Sequence, residues 1–208
     1  MIAISGLIKK YNQQLILDIP SCNLEKGIYW IKGANGSGKT TFLKTLAGMI
    51  PFEGTITIDA IPQKQDPVTY RKQLSWAAAE PLFPAFLTGT DLIRFYQQIR
   101  NAGNEEITSL VRLFDCAAYM ENKTATYSAG MLKKLSLLLA FTGATKVILL
   151  DEPFITLDAA TCKALGAYIN DRHRSTGASF LLSSHQNPHE FLTNGTELLI
   201  QNQTLQYT

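Results

Sequence analysis

The sequence predicts an α/β fold with a mainly parallel sheet, and three observations carry the prediction. Short apolar runs of strand length alternate with helix-length segments after residue 28, a glycine-rich loop joins one such run to a helical pattern, and residues 91–123 change to apolar spacings of three and four. The 208 residues fit a single domain spanning 1–208. A chain of that size buries roughly 70% of the surface exposed by its unfolded form, so neither disulfides nor a structural metal is required.

In chain order, residues 1–32 read as β-structure, with Leu15-Ile16-Leu17, a turn at Glu25-Lys26-Gly27, and Ile28-Tyr29-Trp30-Ile31 entering the glycine-rich segment. Thr41 to Ala47 places Phe42, Leu43 and Leu46 on one helical face before Gly48 stops it, and Gly54 to Asp59 alternates as a strand. Leu92, Ile93, Phe95, Tyr96, Ile99, Ile107, Leu110, Val111 and Phe114 then mark a small inserted helical subdomain, approximately 89–135. A helix from about Gly130 follows, then a buried strand Val147-Ile148-Leu149-Leu150, a helix around Ala159–Arg172, and the strand Ser179–Ser183. Such βαβ sheets bind ligands at the carboxyl ends of their strands.

Composition narrows the function. With 46% hydrophobic and 17% charged residues the chain is neither disordered nor a coiled coil. Nineteen basic against seventeen acidic side chains leave +2, which gives no electrostatic support to nucleic-acid binding. Cys22, Cys116 and Cys162 have no CxxC spacing, so a disulfide framework or zinc site is not expected and a reducing compartment is. A membrane span needs about 20 apolar residues. The best stretch, Leu135 to Phe141, falls well short, and the N-terminus lacks the order of a signal peptide, so a cytoplasmic location is expected.

Gly33-Ala34-Asn35-Gly36-Ser37-Gly38-Lys39-Thr40 fits GxxxxGK[ST] between an expected strand and an expected helix. Glycines let successive N–H groups turn toward phosphate oxygens, the helix N-terminus adds its positive dipole end, and Lys39 brings a charge to the β- and γ-phosphates. The Thr40 hydroxyl is a hard-oxygen ligand for Mg²⁺. The apolar run at Val147 ends in Asp151 and Glu152, which face different ways. Asp151 is expected to hold Mg²⁺ through water and Glu152 to act as general base on the attacking water.

These motifs are joined by a third. The chain resembles the nucleotide-binding subunit of ATP-binding cassette (ABC) transporters over nearly its full length. In that family the signature LSGGQ contacts the γ-phosphate held by the other subunit of a head-to-tail dimer, and Tyr127-Ser128-Ala129-Gly130-Met131 stands in its place. Ser128 can cap the helix that follows. The resemblance implies a P-loop NTPase of ABC type, a mainly parallel core sheet with an N-terminal antiparallel β subdomain and a small inserted helical subdomain. It assigns ATP binding to Tyr11, Gly33, Asn35, Gly36, Ser37, Gly38, Lys39, Thr40 and Thr41, and contacts across the dimer to Ser128, Gly130 and the D-loop Asp158. It also assigns His185 to the γ-phosphate, with Lys39 and Glu152 as its catalytic companions. Tyr11 would stack on adenine, the alternative being a core tyrosine. His185 and His189 form an i,i+4 pair, but Pro188 interrupts that register, so a metal pair is not expected.

The chain departs from the family at named positions. Glu80 stands where the Q-loop glutamine is expected, and is read as binding through Mg²⁺ or as partly protonated beside nucleotide. Ala129 replaces the first signature glycine and Met131 its glutamine, while Ile155-Thr156 is bulky for a D-loop. Leu82, Phe83, Phe86 and Leu87 either line a groove for a membrane subunit's coupling helix or belong to the core. The resemblance implies an ATPase with ATP and Mg²⁺ as cofactors, acting with a second ATPase subunit and an integral membrane permease at the cytoplasmic face. The alternatives are a soluble ABC protein that dimerises in assembly without transport, and a small-molecule kinase, for which an arginine-rich lid is lacking.

Overall fold

In the computed structural model, which describes residues 1–184, 191–192 and 195–208, β1 (Ile2–Tyr11) and β2 (Gln14–Leu24) form an antiparallel hairpin. Asn12 sits at its turn with φ 53, a left-handed conformation that asparagine tolerates. β4 (Glu53–Ile58) pairs with the other edge of β1, and β5 (Ile61–Pro62) completes a sheet in the order β2-β1-β4-β5.

The second sheet runs β10-β9-β3-β8-β7-β6. Its members are β3 (Ile28–Lys32), β6 (Leu74–Ala77), β7 (Val147–Asp151), β8 (Ser179–Ser183), β9 (Thr196–Gln201) and β10 (Thr204–Tyr207). All neighbours from β9 to β6 are parallel, and β10 is an antiparallel edge. The mainly parallel core sheet and the N-terminal antiparallel sheet are therefore as expected. The strands and α-helices without a sequence-based expectation are the two-residue β5, α2 (Pro67–Lys72), the four-residue β6, and the β9–β10 hairpin.

Strand periodicity divides the core into two layers. Tyr29, Ile31, Leu149 and Leu181 face α1 (Lys39–Leu46) and, beyond it, the apolar side of the antiparallel sheet. Ile28, Trp30, Ile148, Leu150, Phe180 and Leu182 face the opposite way, onto α5 (Ala129–Phe141) and α6 (Ala159–Thr176). α3 (Gly89–Arg100) and α4 (Asn104–Leu113) add Leu92, Ile93 and Leu110 to that same cluster. The helical stretch is thus packed onto the sheet through a shared core. α6 runs past its expected end and stops at Gly177, whose φ of 69 and N–H bond to the His173 carbonyl end the helix. No helix among the described residues is long and apolar enough to cross a membrane.

Candidate active site

The Gly33–Thr40 loop leaves the carboxyl end of β3 and enters α1 directly. Gly38 caps α1 in a left-handed conformation, φ 105, with no side-chain cap, so the first N–H groups of the helix have no side-chain acceptor. Gly33 has no room for a side chain: an added Cβ would lie 2.6 Å from the Ile200 carbonyl and closer still to Ser37 Oγ. That hydroxyl is buried without a hydrogen-bond partner among the described residues. Beside Gly36, by contrast, the space is open. Uncapped amides, an orphan hydroxyl and open space together fit a bound polyphosphate.

Lys39 is buried, and its Nζ donates to the carbonyls of Gly33 at 2.8 Å and Ala34 at 3.1 Å. Burial pushes its ammonium below the ordinary lysine range, while Glu152 and Asp151 pull it back. Lysine holds the loop in shape and lies where phosphate charge would relieve its desolvation.

Asp151 and Glu152 end β7 beside this loop. Thr40 Oγ1 donates to both Asp151 carboxylate oxygens, at 3.1 and 3.0 Å, and Ser183 Oγ donates to Oδ1 at 2.7 Å. Ser183 also accepts the Glu152 N–H at 2.9 Å, so one buried hydroxyl on β8 places both acidic residues. Glu152 adopts φ 47, a conformation that costs a non-glycine residue of order 1–3 kcal/mol, and its strain lies where the chain must turn a second carboxylate away from the first. Thr40 and Asp151 together offer the hard oxygens that Mg²⁺ takes.

A cavity of about 340 Å³ is lined by Ile16, Asn35 to Thr41 and Glu152. A larger one, about 560 Å³, opens at the amino ends of β7 and β8, beside Val147 and Ser179. Ligands of open parallel sheets bind at carboxyl ends, and the phosphate loop and both carboxylates are there, so the smaller cavity is the candidate site.

The other expected residues do not line this cavity. Tyr11 is 46% exposed, which excludes the core alternative, and one face of its ring carries Lys9 Nζ at 4.5 Å from the centroid. Ser128 is the exposed N-cap of α5 and accepts the Met131 N–H at 3.3 Å. Met131 answers with its thioether, which accepts the Ser128 N–H at 3.4 Å, so sulfur takes the part a glutamine carbonyl plays in a capping box. Gly130 abuts the Thr156 carbonyl, 3.0 Å from where a Cβ would sit. Asp158 caps α6 through the Thr161 N–H at 2.8 Å and pairs with Lys134 of α5 at 3.4 Å. Glu80 is exposed on the loop after β6. Leu82 and Phe86 are exposed, whereas Phe83 and Leu87 pack on the core, which divides that group of four between its two readings. His185 and His189 lie outside the described residues.

Two residues near the carboxylates carry no sequence-based expectation. Ser183 gives no signal within its strand. Lys133 does, because it lies four and eight residues before the buried Leu137 and Phe141 on the inner face of α5. It is fully buried, and burial pushes its ammonium down to about 8, against the pull of Asp151, Glu152 and Glu80.

Residues 17–155 match the family model described as ABC transporter. The cytochrome c biogenesis ATP-binding export protein CcmA of Legionella pneumophila (strain Lens) is 33% identical over 178 residues, 85% of this chain and 88% of that protein. Among solved structures, an ATP-binding subunit of an ABC transporter superposes with a TM-score of 0.88 at 22% identity, over 99% of this chain and 88% of that one. A dimeric post-hydrolysis ATP-binding cassette bound to ADP and Pi gives 0.84 at 18% identity, over 100% and 98%. These two likenesses are of fold.

Proposed function

The chain belongs to the ABC transporter family as its ATP-binding and ATP-hydrolysing subunit, and on that premise we propose that hydrolysis runs in the cavity between the Gly33–Thr40 loop and the end of β7. The contact between Thr40 and Asp151, with Glu152 lining the same cavity, is the observation that carries this reading.

Gly33, Asn35, Gly36, Ser37, Gly38, Lys39, Thr40 and Thr41 bind the triphosphate through backbone amides, hydroxyls and the lysine charge, and Tyr11 stacks its free face on adenine. Thr40 and, through water, Asp151 would hold Mg²⁺, with Glu80 as a further oxygen donor. Bound there, the ion neutralises charge on the β- and γ-phosphates. Glu152 takes a proton from the attacking water as its oxygen bonds to the γ-phosphorus, and the bond to the ADP oxygen breaks with its electron pair leaving on ADP. His185 is assigned to hold the γ-phosphate and the water in line.

Ser128, Gly130 and Asp158 serve the nucleotide of a second ATPase subunit, head to tail. Their positions support this: Ser128 is an exposed helix cap, and none of the three lines the chain's own cavity. Residues 89–135 act as the helical subdomain that presents Ser128 and Gly130, and Asp158 is presented from the N-cap of α6. A homodimer is the simplest assembly. Leu82 and Phe86 offer apolar surface to an integral membrane permease, whose cytoplasmic face the subunit would occupy. The name of the relative from Legionella pneumophila makes export in cytochrome c biogenesis the process to test first.

Glu152→Gln tests the assignment. It should retain ATP binding and lose roughly 10²-fold or more of turnover. Turnover at the parent rate overturns the role of Glu152.

A further inference from the structure

The β6–β7 ladder ends at the pair Ala77 and Leu150. Just beyond it the chain continues on one side into Ala78, Ala79 and Glu80, and on the other into Asp151 and Glu152. Of those five residues, Glu80, Asp151 and Glu152 carry the candidate metal and water chemistry. No strand pairing joins them there.

Lys133 joins them. Its Nζ, reaching in from α5, donates to the carbonyls of Ala78 at 2.9 Å, Ala79 at 2.8 Å and Asp151 at 3.1 Å. An ammonium has three N–H donors and no acceptor, so all three are used, on two segments that lie past the end of the β6–β7 ladder. Burying an ammonium is expensive even when it is well bonded, and removing it would leave three carbonyls each short of a donor. The three-carbonyl geometry is what an apolar side chain cannot supply.

We propose that Lys133 is a positioning residue for ATP hydrolysis, holding the Glu80 loop and the Asp151 end of β7 at a fixed distance from each other and from the signature helix α5. It acts through Asp151, whose carbonyl it binds while Thr40 and Ser183 hold the carboxylate of the same residue. Displacement of Asp151 would carry the proposed metal site and Glu152 with it, and a shift of about 1 Å in a catalytic arrangement can cost on the order of 10²-fold in rate. The inference rests on the assignment of Asp151 and Glu152 made above.

The test compares Lys133→Met, Lys133→Gln and Glu152→Gln with the parent 208-residue chain, following phosphate release against ATP concentration and, separately, binding of a non-hydrolysable ATP analogue. Lys133→Met should lower kcat about tenfold or more, with KM and the analogue's Kd within about threefold of the parent, because the phosphate loop is untouched. Lys133→Gln keeps two N–H donors and should recover part of kcat, which a lysine that only fills space would not do. A folded Lys133→Met with the parent kcat overturns the proposal, as does a loss seen only in KM and Kd. Should Lys133→Met fail to fold, Lys133→Gln decides: a reduced kcat at unchanged Kd supports the proposal, and the parent kcat overturns it. If Glu152→Gln is inactive while Lys133→Met turns over normally, the role of Lys133 falls and that of Glu152 stands. If Glu152→Gln turns over at the parent rate, the assignment of the site itself falls.

Discussion

The Thr40 hydroxyl donates to both carboxylate oxygens of Asp151, at 3.1 and 3.0 Å, and so joins the first turn of α1 to the last residue of β7. The two residues are far apart in the chain and come from the two motifs most legible in the sequence. Their contact closes the phosphate loop against the strand end. Asp151→Asn keeps the size of the side chain but removes its charge and turns one acceptor of the Thr40 hydroxyl into a donor. Turnover should fall by roughly 10²-fold or more, with the Mg²⁺ dependence of phosphate release shifted to higher concentration. An unchanged Mg²⁺ titration would remove Asp151 from the metal site.

The sequence made this contact predictable because glycine spacing, a following lysine and threonine, and an apolar strand with acidic residues at its end are local patterns. Ser183 was not predictable in the same way. Its role depends on β8 lying next to β7 in register, with Asp151 opposite Ser183, and register is a property of the assembled sheet. Lys133 lay between these cases: helical spacing indicates burial, but its acceptors are carbonyls, which any sequence possesses. The short α2 is not legible in the sequence although Asp66 caps it and Pro67 opens it, since six residues give too few apolar positions to show a period. Met131 reads in the sequence as a departure from the signature, and only the sulfur contact to Ser128 reveals that capping is retained.

Gly33→Ala tests the loop. Its Cβ would meet the Ile200 carbonyl at 2.6 Å, and backbone cannot swing aside as a long side chain can. The variant should lose about 1–3 kcal/mol of stability, together with most nucleotide affinity, because the same shift displaces Ser37. A thermal melt and an ATP-analogue titration check the two effects together.

Restoring the signature's glutamine should strengthen the cap of α5. In Met131→Gln an amide oxygen replaces a weak sulfur acceptor for the Ser128 N–H, with an expected gain of about 0.5 kcal/mol. Ser128→Ala removes the other half of the box and should cost about 1 kcal/mol. At about 2–4 °C per kcal/mol for a chain of this size, both shifts are measurable in a thermal melt. A Met131→Gln melt below that of the parent would contradict the capping role of the sulfur.

Acid should weaken the fold at the back of the molecule through Asp59. The Lys146 ammonium at 2.7 Å and the N-terminal amine at 2.8 Å hold its carboxyl at about 2, below the ordinary 3.8. A carboxylate whose pKa is depressed by folding stabilises fully above its unfolded value and loses that contribution as pH falls toward its folded value. The window is therefore from about pH 4 down to about pH 2. Asp59 is about one third exposed, so solvent screening limits its worth to about 0.5–1 kcal/mol. Asp59→Asn should be less stable than the parent at neutral pH, and the difference should vanish as the pH approaches 2. A difference that persists at low pH would mean that the asparagine acts by some means other than charge.

Ser183→Ala separates positioning from binding at the catalytic end of the sheet. The hydroxyl is fully buried, donates to Asp151 and accepts from the Glu152 N–H, so its removal takes the acceptor from that buried N–H and leaves Asp151 Oδ1 with the Thr40 hydroxyl alone of its two hydroxyl donors. Leaving a buried polar group unsatisfied costs about 1–3 kcal/mol, and the thermal midpoint should fall accordingly. The Glu152 backbone is held at a strained φ of 47, and the bond to Ser183 is one of the contacts that keeps it there. Released from it, Glu152 can relax away from the geometry that aims its carboxylate into the cavity. The expected result is a fall in kcat of about tenfold or more with analogue binding close to that of the parent, because Lys39 and the loop amides do not touch Ser183. A stability loss without any change in kcat would show that Glu152 is oriented by the chain turn alone.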